Sequence, residues 1–348
     1  MGNSVTGNIK TKLRRVAVID CGTNTFNLRV VDLLPIDNSD LRPWNKVFSL
    51  RLPVRLGKGG IVKGVIRPDR IARGLDAIGV MHEIIRNYKA LEVYVIATSA
   101  LRDASNGNVF TEGVWNRFGY KVQIISGATE ATLIQAGIEL TYTPLKGQTI
   151  LTMDIGGGST ECILWDDSKV IWSRSFDVGV ARLQELFKMT DIFGEDAYVK
   201  MFPYLSDVFE PLSIALSNTT PSILVGSSGS FDTFYSLTKP KNKRKLKESR
   251  IDKPEINLIR QPHPTASVID IEKFNDLSEL IIRNSLKDRL EISGMPPDRA
   301  DFLPYAAAIV KWLQSKSEIK SIYRSKYAVR EGLLCRLAKG EDAVPGME

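Results

Sequence analysis

Two stretches of this chain place an acid at the mouth of a tight, polar turn. Residues 16–32 read VAVIDCGTNTFNLRVVD: an apolar strand runs into Asp20, breaks at Cys21-Gly22-Thr23-Asn24-Thr25, and resumes as a second strand. Residues 151–165 repeat the pattern as LTMDIGGGSTECILW, with Asp154 ahead of Gly156-Gly157-Gly158-Ser159-Thr160. A hairpin by itself needs only a short turn such as Asn-Gly. A glycine-rich turn does more: the backbone can approach a ligand closely, and several N–H groups converge into a nest for anions. The hydroxyls of Thr23, Thr25, Ser159 and Thr160 add donors suited to phosphate oxygens. Carboxylates repel phosphate, so Asp20 and Asp154 call for a hard divalent cation. Such a cation accepts carboxylates and waters on one side and phosphate oxygens on the other. Paired turns with paired aspartates therefore predict phosphate together with Mg²⁺, Mn²⁺ being the alternative.

Three further sites carry chemistry. Ser126-Gly127-Ala128-Thr129-Glu130 closes a strand and opens a helix. That puts Glu130 in the first turn, where the helix dipole favours an ionised carboxylate at neutral pH. From local sequence alone, Glu130 could equally serve only to cap that helix. Arg102, in SALRDASN, offers a planar guanidinium to phosphate oxygens or is a surface arginine. GSSGS at 226–230, between a strand and a helix, presents amides that could hold a further phosphate. No GxxxxGK[ST] occurs, which disfavours a Walker-type NTPase. With only two histidines, His82 and His263, a histidine relay or multi-histidine metal site is nearly excluded.

The elements that must position these groups alternate in a recognisable order. Strands are expected over 13–34 and 44–56, then a helix from Pro68 with Ile71, Leu75, Ile78, Met81 and Ile85 on one stripe. A strand at 93–98 leads into SALRDASNGN, read as an exposed loop or helix start; a strand at 121–125 precedes a helix at 130–140. The second half repeats the order, with strands at 149–154, 160–165, 169–175 and 222–226, and the tail YAVREGLLCRLAKG forms a last helix. Asp154 follows Asp20 by 134 positions, so two like units, each showing one hairpin turn to a shared cleft, follow naturally.

Composition bounds the rest. The 348 residues suffice for about two domains. No run is long enough for a membrane span, and the N-terminus lacks a secretory pattern. Cys21, Cys162 and Cys335 are odd in number and far apart, which points to a reducing cytoplasm. The net charge of +7 is concentrated partly in KPKNKRKLKESR at 239–250, a run that attracts anionic ligands or is simply solvated. Nucleic acid is disfavoured because no reading motif accompanies it.

VAVIDCGTNTFNLRV, ATSALRDASN, ISGATEATL, MDIGGGSTE, VGVARLQE, GSSGSFDT, GMPPDRADFLP and AVREGLL occur in the order found in the exopolyphosphatase/guanosine-pentaphosphate phosphatase family, and span nearly the whole chain. The chain resembles the short, two-domain form of that family, within the wider actin, sugar-kinase and heat-shock ATPase superfamily. The resemblance implies an α/β fold of two actin-like, ribonuclease H-like domains, each a mixed sheet flanked by helices, with a cleft between them. It assigns 13–128 and 324–348 to the first domain and 129–323 to the second.

It further implies that Glu130 positions and deprotonates the attacking water, and that Asp154 and Glu161 are metal-linked acids with Asp20 in the matching place. Thr23, Asn24, Arg102, Gly157, Gly158, Ser159, Gly229 and Ser230 are implied phosphate contacts. The activity implied is metal-dependent release of phosphate, processive or distributive, from the end of inorganic polyphosphate. Guanosine pentaphosphate is the alternative substrate, and a non-catalytic polyphosphate or alarmone regulator the alternative of another class. A homodimer is compatible with this reading. One departure stands out: where many relatives read E-E-A-R, this chain reads Thr129-Glu130-Ala131-Thr132, keeping the base without a neighbouring acid and arginine.

Overall fold

The structure is a computed structural model that describes residues 14–34, 43–187, 195–239 and 266–344. His263 and, apart from Lys239, the basic run at 239–250 lie outside the described residues. The first half contributes β1 (Arg14–Cys21), β2 (Thr25–Leu33), β3 (Trp44–Pro53), β4 (Glu92–Ala97) and β5 (Val122–Ile124), in the order β3-β2-β1-β4-β5. The second contributes β6 (Ile150–Ile155), β7 (Thr160–Trp165), β8 (Val170–Phe176), β9 (Ile223–Ser227), β10 (Ser267–Ile269) and β11 (Ser321–Arg324). Their order is β10-β11-β9-β6-β7-β8. In each sheet three antiparallel strands come first and parallel strands are added beside the first of them. Without the edge strand β10, the second sheet has the connectivity of the first. The repeat read from the two aspartate hairpins is thus a repeat of whole mixed sheets flanked by helices.

Strand alternation decides what each face does. Val16, Val18 and Val31 point to the space between the two sheets, while Ala17, Ile19, Leu28 and Val30 face outward onto the helices Pro68–Asn87 and Gly107–Phe118. The second sheet obeys the same rule: Ile150, Ile163 and Val225 look inward, and Leu151, Leu164 and Leu224 look out. Between the sheets lie the helices Gly127–Glu139 and Val329–Ala338. They cross so closely that a Cβ at Gly332 would sit 2.7 Å from the carbonyl carbon of Leu133. Only glycine allows that approach. No helix among the described residues is long and apolar enough to cross a membrane.

Of the two alternatives for SALRDASNGN the structure has the helix start and not the exposed loop: Ser99–Arg102 forms a single helical turn whose Ser99, Ala100 and Leu101 are buried. Leu101 joins the outer core of the first sheet. The polar groups find partners inside the protein, Ser99 Oγ donating to Asp103 Oδ2 at 3.0 Å and Arg102 reaching Glu130. Polarity that is internally satisfied does not require exposure.

Candidate active site

The two acids at the hairpin mouths continue the inward-facing rows of their strands. Asp20 lies two residues beyond Val18 and faces Asn27 across the β1–β2 ladder; Asp154 faces Glu161 across β6–β7. The inward rows of opposite sheets run toward one another, so Asp20, Asn27, Asp154 and Glu161 all line one cavity of about 350 Å³. Thr23, Asn24, Gly157, Gly158 and Ser159 line the same cavity, as do Glu130 and Gly229. Arg102 and Ser230 do not. Arg102 instead holds Glu130, and Ser230 is buried in the first turn of the helix Ser228–Thr238.

The two turns touch. A Cβ at Gly157 would come within 2.8 Å of the Thr23 Cβ and 2.9 Å of the Asn24 amide nitrogen. The second turn also has a definite polarity. The carbonyl of Gly156 accepts from Val180 N–H at 3.0 Å, and that of Gly157 accepts from Ala181 and Arg182 N–H at 2.7 and 3.2 Å. The carbonyl of Gly158 accepts from Arg182 Nε at 3.1 Å. In a trans peptide, C=O and the following N–H point in opposite directions. The amides of Gly157, Gly158 and Ser159 therefore all point away from the helix Val180–Leu186, three donors in succession forming an anion nest.

Glu130 stands beside this nest. Ser126, not Glu130, caps the helix, accepting from Thr129 N–H at 3.1 Å. Glu130 turns inward, only 6% exposed, and receives Arg102 Nη1 at 2.9 Å. The same nitrogen lies 3.3 Å from the Ile125 carbonyl. The departures at 129 and 132 fall away from the cavity: Thr129 hydroxyl pairs with Ser126 Oγ at 2.9 Å and Thr132 hydroxyl donates to the Ala128 carbonyl at 3.0 Å.

Burial overrides the expected ionisation of Glu130. Desolvation raises its pKa to about 7, against the pull of Arg102 and with further upward pressure from Asp154 and Asp20. The first-turn dipole is too small to offset the loss of water. Desolvation also raises Asp20, to about 6, although the Arg330 charge and the Asn27 amide pull the other way. Asp154 is raised by burial despite hydroxyl donors from Ser227 (2.8 Å) and Ser228. Glu161 is raised well above its ordinary range by burial and by Glu130 and Asp154, though Ser175 donates at 2.8 Å. Of these four carboxyls, only Glu130 has a direct ion pair among the described residues.

Acids with raised pKa values around one polar cavity fit a divalent cation. No three His, Cys, Asp or Glu side chains among the described residues converge into a closed metal cage. Mg²⁺ commonly binds through one or two carboxylates, waters and substrate oxygens, and that open arrangement agrees with Asp154, Glu161 and Asp20 as they stand.

Several cavity residues escaped the sequence reading. Arg51, Arg299, Lys326 and Arg330 add positive charge to the cavity lining. Burial, reinforced by Arg51, lowers Arg299 to about 10. Arg299 and Arg330 stand within GMPPDRADFLP and AVREGLL, but nothing in either string marks an inward guanidinium. Ser228 is a further case, because its φ of 68° is left-handed for a residue with a side chain. Such backbone costs about 1–3 kcal/mol and concentrates at functional sites.

Comparison with known proteins agrees with this geometry. Exopolyphosphatase 2 of Mycobacterium tuberculosis is 28% identical over 336 residues, covering 94% of this chain and 99% of its own. A guanosine-5'-triphosphate,3'-diphosphate pyrophosphatase of Pseudoalteromonas translucida is 24% identical over 329 residues, 94% of this chain and 60% of the longer relative. The crystal structure of an exopolyphosphatase from Cytophaga hutchinsonii superposes with a TM-score of 0.81 at 30% identity, over 94% of this chain and 99% of that one. The Ppx/GppA phosphatase family matches residues 36–341, nearly the whole length, and this chain belongs to that family.

Proposed function

We propose that the protein hydrolyses the terminal phosphoanhydride bond of inorganic polyphosphate and releases orthophosphate from the chain end. The observation that carries this reading is the buried Glu130, held at 2.9 Å by Arg102, in the wall of a cavity that also contains the Gly157–Ser159 nest. Phosphoryl transfer asks a protein chiefly for in-line positioning and charge neutralisation. The nest amides, with Thr23 and Asn24 opposite, hold the oxygens of the terminal phosphoryl group, and Gly229 frames a neighbouring phosphate. Glu130 orients a water and takes its proton as the new O–P bond forms; the anhydride O–P bond breaks and the shortened chain leaves as the anion. Arg102 keeps Glu130 aimed. Arg51, Arg299, Lys326 and Arg330 receive the rest of the polyanion, and the 239–250 run draws it in.

Asp154 and Glu161, with Asp20 across the gap, would hold Mg²⁺ or Mn²⁺, which when bound neutralises charge on the transferring group. Residues 13–128 with 324–348 form one domain in this reading and 129–323 the other. The three cysteines are free and buried, which suits the cytoplasm.

A second reading, hydrolysis of guanosine pentaphosphate, is favoured by the Pseudoalteromonas relative, whose name gives that nucleotide as its substrate. A phosphate-release panel over long polyphosphate, tripolyphosphate, guanosine pentaphosphate and ATP, with and without Mg²⁺, separates the two. Glu130→Gln is expected to bind polyphosphate and turn it over about 10²–10⁴-fold more slowly. Full turnover by that variant would remove Glu130 from the mechanism. Binding without turnover in the wild-type protein would favour a regulator.

A further inference from the structure

The short helix Val180–Leu186 of the second half sends two side chains into the first. Arg182 uses all three of its nitrogens: Nε donates to the Gly158 carbonyl at 3.1 Å, Nη2 to Asp103 Oδ2 at 2.6 Å, and Nη1 to the Ile61 carbonyl at 3.4 Å. One turn later, the Glu185 carboxylate accepts the N–H groups of Gly59, Gly60 and Val62. The Arg182 and Asp103 side chains are 14% and 23% exposed, so water screens their attraction only partly.

Each Arg182 contact leads to a different part of the site. Gly158 C=O belongs to the peptide whose N–H is that of Ser159, so the arginine orients the last donor of the nest. Asp103 also takes Ser99 Oγ at 3.0 Å and lies 3.6 Å from Arg102 Nε. Arg102 in turn grips Glu130. One guanidinium therefore joins the phosphate turn of the second half to the ion pair that aims the base in the first. Lysine has no such fork: its donors radiate from one nitrogen and cannot reproduce the separate placements of Nε, Nη1 and Nη2.

We propose that Arg182 is a positioning residue that brings the Gly157–Ser159 nest and Glu130 into register across the interface between the two halves. The proposal rests on the reading of Glu130 as base and of the nest as the phosphate seat. It makes productive geometry depend on the two halves being together, since Arg182 and Asp103 meet only across their boundary.

The test measures kcat and KM for phosphate release from polyphosphate by the full chain. The variants are Arg182→Gln, Arg182→Lys, Asp103→Asn and the Arg182→Gln/Asp103→Asn pair, with folding checked by circular dichroism and thermal melting. Arg182→Gln is expected to lower kcat on the order of 10²-fold, the scale of a misplacement of about 1 Å, with a much smaller change in KM. Asp103→Asn loses less, about tenfold, because an amide still accepts a hydrogen bond. The double variant falls no further than Arg182→Gln, because both changes break one contact. Arg182→Lys lies between wild type and Arg182→Gln. A folded Arg182→Gln protein with kcat within about twofold of wild type, or losses that multiply in the double variant, overturns the proposal. If Arg182→Gln fails to fold, Arg182→Lys and Asp103→Asn decide in the same terms. Glu130→Gln in the same assay keeps the two readings apart. An inactive Glu130→Gln beside a fully active Arg182→Gln sinks only the positioning role, whereas a fully active Glu130→Gln sinks the base.

Discussion

The hairpins at Asp20 and Asp154 are built alike and charged differently. Both put an aspartate on the inward row of a buried strand, opposite a polar residue of the next strand. In the first hairpin that partner is Asn27, whose amide donates to Asp20 at 3.3 Å, and Arg330 supplies a compensating charge. In the second hairpin the partner is Glu161, another acid, and among the described residues hydroxyls from Ser159, Ser175, Ser227 and Ser228 address the pair. Duplication of the scaffold therefore did not duplicate the chemistry. The second hairpin concentrates two acids and is the stronger claimant for a cation, while in the first the single acid Asp20 has an amide partner and the charge of Arg330 to offset part of its burial.

The sharpest way to break this comparison is to neutralise each acid in turn. Asp154→Asn and Glu161→Gln should each lower phosphate release by on the order of 10²-fold or more, the loss expected when a bound cation is misplaced. Their response to added Mg²⁺ should flatten. Asp20→Asn should lose about tenfold, since an amide there still faces Asn27 and Arg330. Equal losses at Asp20 and Asp154, measured as kcat against Mg²⁺ concentration, would show that the hairpins share the cation evenly.

A pH profile examines Glu130, the proposed base. Glu130 must be ionised to accept a proton, and burial sets its pKa at about 7. At limiting cation, kcat should climb as pH rises through about 7 and then level off. Saturating Mg²⁺ should move that limb to lower pH, because added positive charge favours the carboxylate. A profile flat from about pH 5.5 to 8 would contradict this assignment.

Stability gives two smaller effects. Gly332→Ala forces a Cβ against the Leu133 carbonyl carbon at 2.7 Å and should cost about 1–3 kcal/mol in a denaturant titration, disturbing both hairpins together. Glu161→Gln should act in the opposite direction. The folded pKa of Glu161 lies well above the ordinary 4.5, so across that interval the folded protein holds a proton that the unfolded chain has released. Raising the pH through the interval therefore removes stability from the wild type. Without metal, the variant should melt higher than wild type at pH 8 and alike at pH 4. A lower melting point at pH 8 would mean that Glu161 has an unrecognised cationic partner.

Much of this architecture can be read along the chain. Strand alternation, the helix stripe from Ile71 to Ile85 and the recurrence of an aspartate hairpin after 134 positions are local or periodic signals, and the two mixed sheets follow from them. The cleft-lining acids and the glycine turn were legible for the same reason, since each is contained in one short segment. Arg51, Arg299, Lys326 and Arg330 were not, because four separated positions come to line one cavity only after the chain has folded. The choice between loop and helix start at SALRDASNGN could not be made locally, because its polar groups are satisfied by residues remote in sequence, Glu130 and Arg182 among them.

What the order of residues determined unaided is where backbone can turn tightly, which faces are apolar, and which segments carry acids and donors; these depend on neighbours a few positions apart. Three things were left to the tertiary structure: the withdrawal of water that raises Glu130 and Glu161, the inequality of the two hairpins, and the Arg182 bridge between halves. Each depends on the distance between groups far apart in the chain, and electrostatic free energy follows distance and solvent access rather than sequence separation.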